Sequence, residues 1–136
     1  MVPAASVGQR YSAGMAPAAP VQVFGSESDK ETRAAVRFFK ERRIELHFVD
    51  LRKRPIAAGE LRRFVERLSP RALADTDGKA WRDAGLGYLQ MGDAELAERL
   101  LADQRLLRLP LVRSGNRFAA GRDETAWKSI AAAAAE

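Results

Sequence analysis

The residues best placed to do chemistry lie in the stretch VQVFGSESDKETRAAVRFFKERRIELHFVDL, residues 21–51. At Ser28-Asp29 an apolar strand and a tight loop give way to a helix. Such a junction presents free backbone N–H groups and the positive end of a helix dipole, so it favours an anion, or a nucleophile that reacts as one. The side chains at hand are the hydroxyls of Ser26 and Ser28 and the carboxylate of Asp29. No cysteine occurs in the 136 residues, which removes disulfides, thiolate metal sites and self-contained thiol redox chemistry. The single histidine, His47, falls inside an expected strand with no second histidine or cysteine to share a metal. It reads as a half-buried strand residue rather than a ligand.

The elements that must position this junction follow from periodicity. Val21 to Phe24 reads as a buried strand broken by Gly25. Ser28 and Glu31 match the S-x-x-E capping box, in which the hydroxyl accepts from a first-turn N–H while the carboxylate reaches back. Asp29 in the first turn suits the dipole. The helix is expected to run to about Arg42, with Ala35, Val36, Phe38 and Phe39 inward and Arg33, Arg37 and Lys40 outward. Residues 44–51 form the next strand, so strand, helix and strand make a parallel βαβ unit with a right-handed crossover.

Past Pro55, a helix over residues 57–68 carries Leu61, Phe64, Val65 and Leu68 on one face. Pro70 starts a short helix. Residues 69–105 read as an all-helical insert broken at 76–78, 85–87 and 92–93. Its Trp81, Leu86, Tyr88, Leu89, Met91, Leu96 and Leu100 are candidates for packing on the sheet. A strand over 109–113 has Pro110 at its edge. Ser114-Gly115-Asn116 turns the chain into a strand over 117–120, and a helix over 123–135 faces Trp127 and Ile130 inward. The order β-α-β, insert, β-β-α predicts an α/β, thioredoxin-like (glutaredoxin-like) three-layer fold. Its four-stranded mixed sheet has an antiparallel hairpin and helices on both faces.

Composition bounds the rest. The length fits one domain, 21–136, behind a tail, 1–20, too poor in large apolar groups to offset chain entropy and expected to be disordered. That tail lacks the basic start and apolar run of a secretion signal, and Met15 is an alternative start. No apolar run approaches the ~20 residues of a membrane helix. The net charge of +5 permits an acidic partner or nucleic acid. Only Arg52-Lys53-Arg54 forms a run, however, and no aromatics interleave with the arginines to stack bases. Nucleic acid is therefore the weaker expectation.

From Val21 onward the chain resembles the arsenate reductase-related (ArsC/Spx) branch of the thioredoxin superfamily. The resemblance rests on FGSESDK, VDLRKRPIAAGEL, GKAWRDAG, LPLV and GNRFAAGRDETAW, above all on the spacing of Asp50, Lys53, Pro55, Glu60 and Leu61. It implies a cytoplasmic monomer. It also implies a cysteine at the first helix's N-terminus that attacks arsenate or forms a mixed disulfide with glutathione. Counted from Phe24-Gly25, that position falls on Asp29, or on Ser28 if the loop differs by one. A carboxylate forms no mixed disulfide, and its charge repels an oxyanion that a bare helix end attracts. The family's arginines are displaced as well. Asp75 stands at one position and Leu109 at another, with Arg108 one residue earlier; Ala120 stands near the third, flanked by Arg117 and Arg122. Pro110 matches the fold's cis-proline. The resemblance thus implies binding residues Ser26, Ser28, Asp29, Arg108, Pro110, Arg117 and Arg122; no metal and no cofactor are expected, glutathione being the one the family would use. The first reading is a redox-inactive binding or regulatory module with a protein partner, as RNA polymerase is for Spx-like members. The alternatives are an arsenate or glutathione-dependent reductase, and a basic nucleic-acid binder.

Overall fold

A computed structural model of the chain describes residues 20–134. All of the expected tail except Pro20 lies outside the described residues, as do Ala135 and Glu136. Strand β1 (Val21–Gly25), helix α1 (Lys30–Glu41) and strand β2 (Leu46–Asp50) form the parallel βαβ unit, with register from Val21↔Leu46 to Gly25↔Asp50. Helices α2 (Ala58–Arg67), α3 (Pro70–Leu73), α4 (Lys79–Asp83) and α5 (Asp93–Ala102) follow, with 3₁₀ turns at Leu86–Tyr88 and Gln104–Leu106. Strands β3 (Leu111–Ser114) and β4 (Arg117–Ala120) and helix α6 (Glu124–Ala134) complete the chain. The sheet order is β2-β1-β3-β4, with β3 antiparallel to both neighbours. The fold is the mixed four-stranded α/β architecture that the element order predicts.

Alternation along the strands divides the core into two layers. Val21, Val23 and Val112 point to one face, where Phe39 of α1 and Trp127 and Ile130 of α6 cover them. Phe24 and Leu111 point to the other, against Leu61 and Phe64 of α2 and Leu73, Trp81, Leu96 and Leu100 of the insert. The insert is tied to the loop before α2 by a reciprocal pair of bonds. The Ile56 N–H donates to Gln104 Oε1 at 2.8 Å, and Gln104 Nε2 donates to the Ile56 carbonyl at 2.9 Å.

Several expectations are corrected. β2 starts two residues later than expected because Arg42 and Arg43 are used to end α1. The Arg43 N–H reaches the Lys40 carbonyl at 3.0 Å and the Ile44 N–H the Phe39 carbonyl at 3.2 Å, a Schellman motif. His47 is exposed rather than half-buried, since β2 is an edge strand; its ring nitrogen lies 3.1 Å from Glu45. Tyr88 and Leu89 do not pack on the sheet. They are 95% and 46% exposed, because the turn at Leu86–Tyr88 buries only Leu86. The strand expected from residue 109 begins at Leu111, with Pro110 just before it, and it lies inside the sheet between β1 and β4. α6 begins one residue late, with the Asp123 carboxylate accepting from the Ala126 N–H at 3.1 Å.

Arg43 closes α1 at φ 58, a left-handed conformation that costs a non-glycine residue about 1–2 kcal/mol. Glycine relieves that strain but loses more chain entropy. Arg43→Gly is therefore expected to stabilise the protein by about 0.5–1 kcal/mol. Urea unfolding checks this through a higher midpoint at unchanged slope.

Candidate functional site

The residues at the start of α1 form a closed network. Asp29, with extended backbone (φ −87, ψ 125), is the residue that caps the helix. Its Oδ2 accepts both the Thr32 N–H and the Thr32 hydroxyl, each at 2.8 Å. Thr32 is only 1% exposed, and its Oγ1 in turn accepts the Ser26 N–H at 3.4 Å. The Asp29 N–H donates to the Ser26 carbonyl at 3.0 Å. The Ser26 and Ser28 hydroxyls lie 2.9 Å apart, and the Ser28 N–H donates to Ser26 Oγ at 3.3 Å.

Gly25 makes this closure possible. A Cβ there would lie 2.3 Å from Thr32 Oγ1, so a side chain at the end of β1 would drive α1 away. Thr32 and the steric role of Gly25 were the parts that sequence reasoning missed. The signal was present as D-x-x-T, the same spacing as S-x-x-E moved by one residue. The expected capping box of Ser28 and Glu31 is not formed. Ser28 precedes the capping position, and the Glu31 carboxylate turns sideways to Arg122, 3.4 Å away.

The register decides which other candidates reach this end of the sheet. Phe24 pairs with Leu111 and Leu111 with Ala120, so Pro110 and residues 121–122 stand at the level of Gly25. The Leu109-Pro110 peptide is cis, and the Pro110 carbonyl accepts the Gly121 N–H at 2.8 Å. Arg122 is shared by two carboxylates. Its bond to Glu124 (2.8 Å), and secondarily the nearby Glu31, hold its pKa above the ordinary arginine value. Arg108 lies along Gly121, where a Cβ would come within 2.5 Å of its Cδ, but its guanidinium donates to the Ala74 carbonyl at 3.2 Å. Asp75 folds over Gly78. Arg117 is placed elsewhere: it opens β4 at the hairpin, the far end of the sheet, and donates to Ser129 Oγ at 3.0 Å.

Ser26, Ser28, Asp29, Pro110 and Arg122 are thus gathered at one end of the sheet, with Arg108 beside them but directed at the insert. The helix end that attracts anions already holds one, from its own chain. Arg33, Arg108 and Arg122 are each engaged with protein oxygens. No group of acidic, histidine or cysteine side chains suited to a metal exists among the described residues, and no described helix is long and apolar enough to cross a membrane.

Because Asp29 is the cap, Asp29→Ala is expected to cost about 1–2 kcal/mol, whereas Ser28→Ala costs less than about 0.5 kcal/mol. Urea denaturation of both variants checks this; equal losses would place the cap on Ser28.

Comparison with known proteins adds to this geometry. A family model described as the ArsC family matches residues 24–130. Comparison with curated protein sequences gave no match. Among solved structures, the chain is similar to an arsenate reductase from Vibrio cholerae (TM-score 0.71, 18% identity, 83% of this chain and 98% of that one). It is also similar to an ArsC family related protein from Bacteroides fragilis (TM-score 0.74, 17% identity, 83% and 98%). A third, titled YffB (PA3664) protein, gives a TM-score of 0.73 at 18% identity over 81% and 97%. At these identities the structural likeness shows the shared fold.

Proposed function

Since the chain belongs to the ArsC family and carries a carboxylate where that family's resemblance places a thiol, we propose that it is a redox-inactive member acting as a binding or regulatory module. One observation carries this reading. Asp29 Oδ2 is bound twice by Thr32 at the leading end of α1, so the helix's positive end is neutralised from within. A thiolate at such a position is stabilised by the helix end and remains free to attack. The carboxylate gains the same stabilisation but has no sulfur, and its better-placed oxygen is committed to Thr32.

The surrounding arginines support the same conclusion. An oxyanion site needs guanidinium donors directed at the place the anion will occupy. Arg122 is held by Glu31 and Glu124, and Arg108 by a backbone carbonyl of the insert. Nothing in this arrangement favours turnover of arsenate.

The purified chain, incubated with arsenate, glutathione and glutaredoxin, is expected to release no arsenite above the protein-free blank. Asp29→Cys is expected to acquire one glutathionyl group, read by intact mass, when exposed to oxidised glutathione. Arsenite production by the unaltered chain would contradict the reading. An unmodified Asp29→Cys thiol would show that residue 29 is not the position equivalent to the family's nucleophile.

A further inference from the structure

We propose that the free edge of β2 and the groove beside it form a docking site for an extended acidic and aliphatic peptide segment of another protein, added to the sheet as a fifth strand. The proposal gives the binding role above a place and a partner class, and it rests on the strand edge and groove beside α1, whose wall reaches Thr32, the partner of Asp29.

The hydrogen bonds to β1 fix which side of β2 is open. The Val21 N–H donates to the Glu45 carbonyl at 3.1 Å, and the Leu51 N–H to the Gly25 carbonyl at 2.8 Å. Odd-numbered residues therefore direct their backbone groups at β1. The period of two turns the N–H and C=O groups of Leu46 and Phe48 and the N–H of Asp50 the other way, while the Asp50 carbonyl accepts the Lys53 and Arg54 N–H groups at 3.1 and 3.2 Å. Among the described residues no strand pairs with that side. A row of unpaired strand groups templates another chain, and proteins commonly blunt such a row with lysine or proline in the strand. β2, sequence LHFVD, has neither.

The flanks indicate what would bind. On the α1 face of β2 lies an open groove of about 450 Å³, lined by Val36, Leu46 and Phe48 with Thr32, and by the charged Glu27, Arg33 and Lys40. A strand laid beside β2 would turn every second side chain toward this groove, so apolar residues must alternate. The ends of β2 are basic: Arg42 and Arg43 precede it and Arg52, Lys53 and Arg54 follow it, all exposed. Glu41 and Glu45 beside Arg42 and Arg43, Glu27 in the groove wall and Asp50 offset them in part, but with Arg33 and Lys40 also lining the groove the surface stays net positive, and Asp50 is turned onto the Arg52 N–H at 2.9 Å. An acidic segment complements this charge. A second copy does not, because a twofold antiparallel pairing of β2 would set the basic flank of one molecule against that of the other. A nucleic acid would answer the charges but not the alternating N–H and C=O row.

The test uses the full chain and a fluorescein-labelled peptide that alternates glutamate or aspartate with valine, leucine or isoleucine. Saturable binding that weakens as salt rises is expected. It should come with new protection of the Leu46, Phe48 and Asp50 amides from hydrogen exchange. The surface variant Arg52→Glu with Arg54→Glu, which touches no core residue, is expected to weaken binding by about tenfold, as loss of two charge contacts implies. A peptide of the same composition with its acidic and apolar residues in separate blocks should bind more weakly still.

Four results would overturn the proposal. They are equal affinity for the blocked peptide, protection mapped away from β2, preference for a labelled DNA strand, or protection of these amides before any peptide is added. The last would mean that a second copy or the chain's own first 19 residues already cover the edge. The peptide titration reads this surface alone, and the arsenate and glutathione-adduct assays read Asp29 alone, so either idea can fail without the other.

Discussion

The bond pair between the Asp29 carboxylate and Thr32 is the contact on which the rest of the site depends. It satisfies an orphan N–H of the first turn and sets a negative charge at the positive end of α1. It also fixes the Thr32 hydroxyl so that the Ser26 N–H has an acceptor. Through Thr32 it determines that the last residue of β1 must be glycine, since any Cβ at residue 25 would occupy the same space. A single carboxylate therefore joins strand, loop and helix. A cap of this kind contributes about 1 kcal/mol. The same helix end, if left open, would stabilise a thiolate or hold an oxyanion. Stability and chemistry compete here for the first-turn N–H groups, and in this chain the Asp29 side chain takes that of Thr32.

The arginines show the same diversion from chemistry to structure. Arg122 bridges the start of α1 and the start of α6 through Glu31 and Glu124. Arg108 fastens the approach to β3 onto the insert through the Ala74 carbonyl. Arg117 secures the hairpin end of β4 to α6. Each guanidinium forms contacts that hold elements together. A basic cluster of Arg42, Arg43, Arg52, Lys53 and Arg54 flanks β2, at the opposite side of the sheet from β4.

Much of the fold could be read from residue order because strand and helix periodicities here are unambiguous. Val21, Val23 and Phe24 in one short run, and Leu61 and Phe64 three apart, leave little choice of element or face. What escaped the reading depends on which neighbours the fold supplies. His47 is exposed only because β2 falls at an edge, and Tyr88 only because the turn after Gly85 buries Leu86 alone. The site suffered a subtler error. Two capping patterns overlap at residues 28–32, and the S-x-x-E match hid the D-x-x-T one. Local patterns could not separate them, since the decision rests on where Gly25 allows α1 to begin. Arg117 and Arg122 flank Ala120 almost equally in sequence, yet the hairpin register carries them to opposite ends of the sheet.

The claim that an internal carboxylate occupies the anion position at α1 is tested most directly by titrating arsenate into the isotopically labelled protein and into Asp29→Ala, following the amide signals of Lys30, Glu31 and Thr32. The account predicts saturable shifts in the variant, where the helix end is open, and none in the unaltered chain. Saturable shifts of those amides in the unaltered chain would show that its own side chain leaves the position open, and would contradict the account.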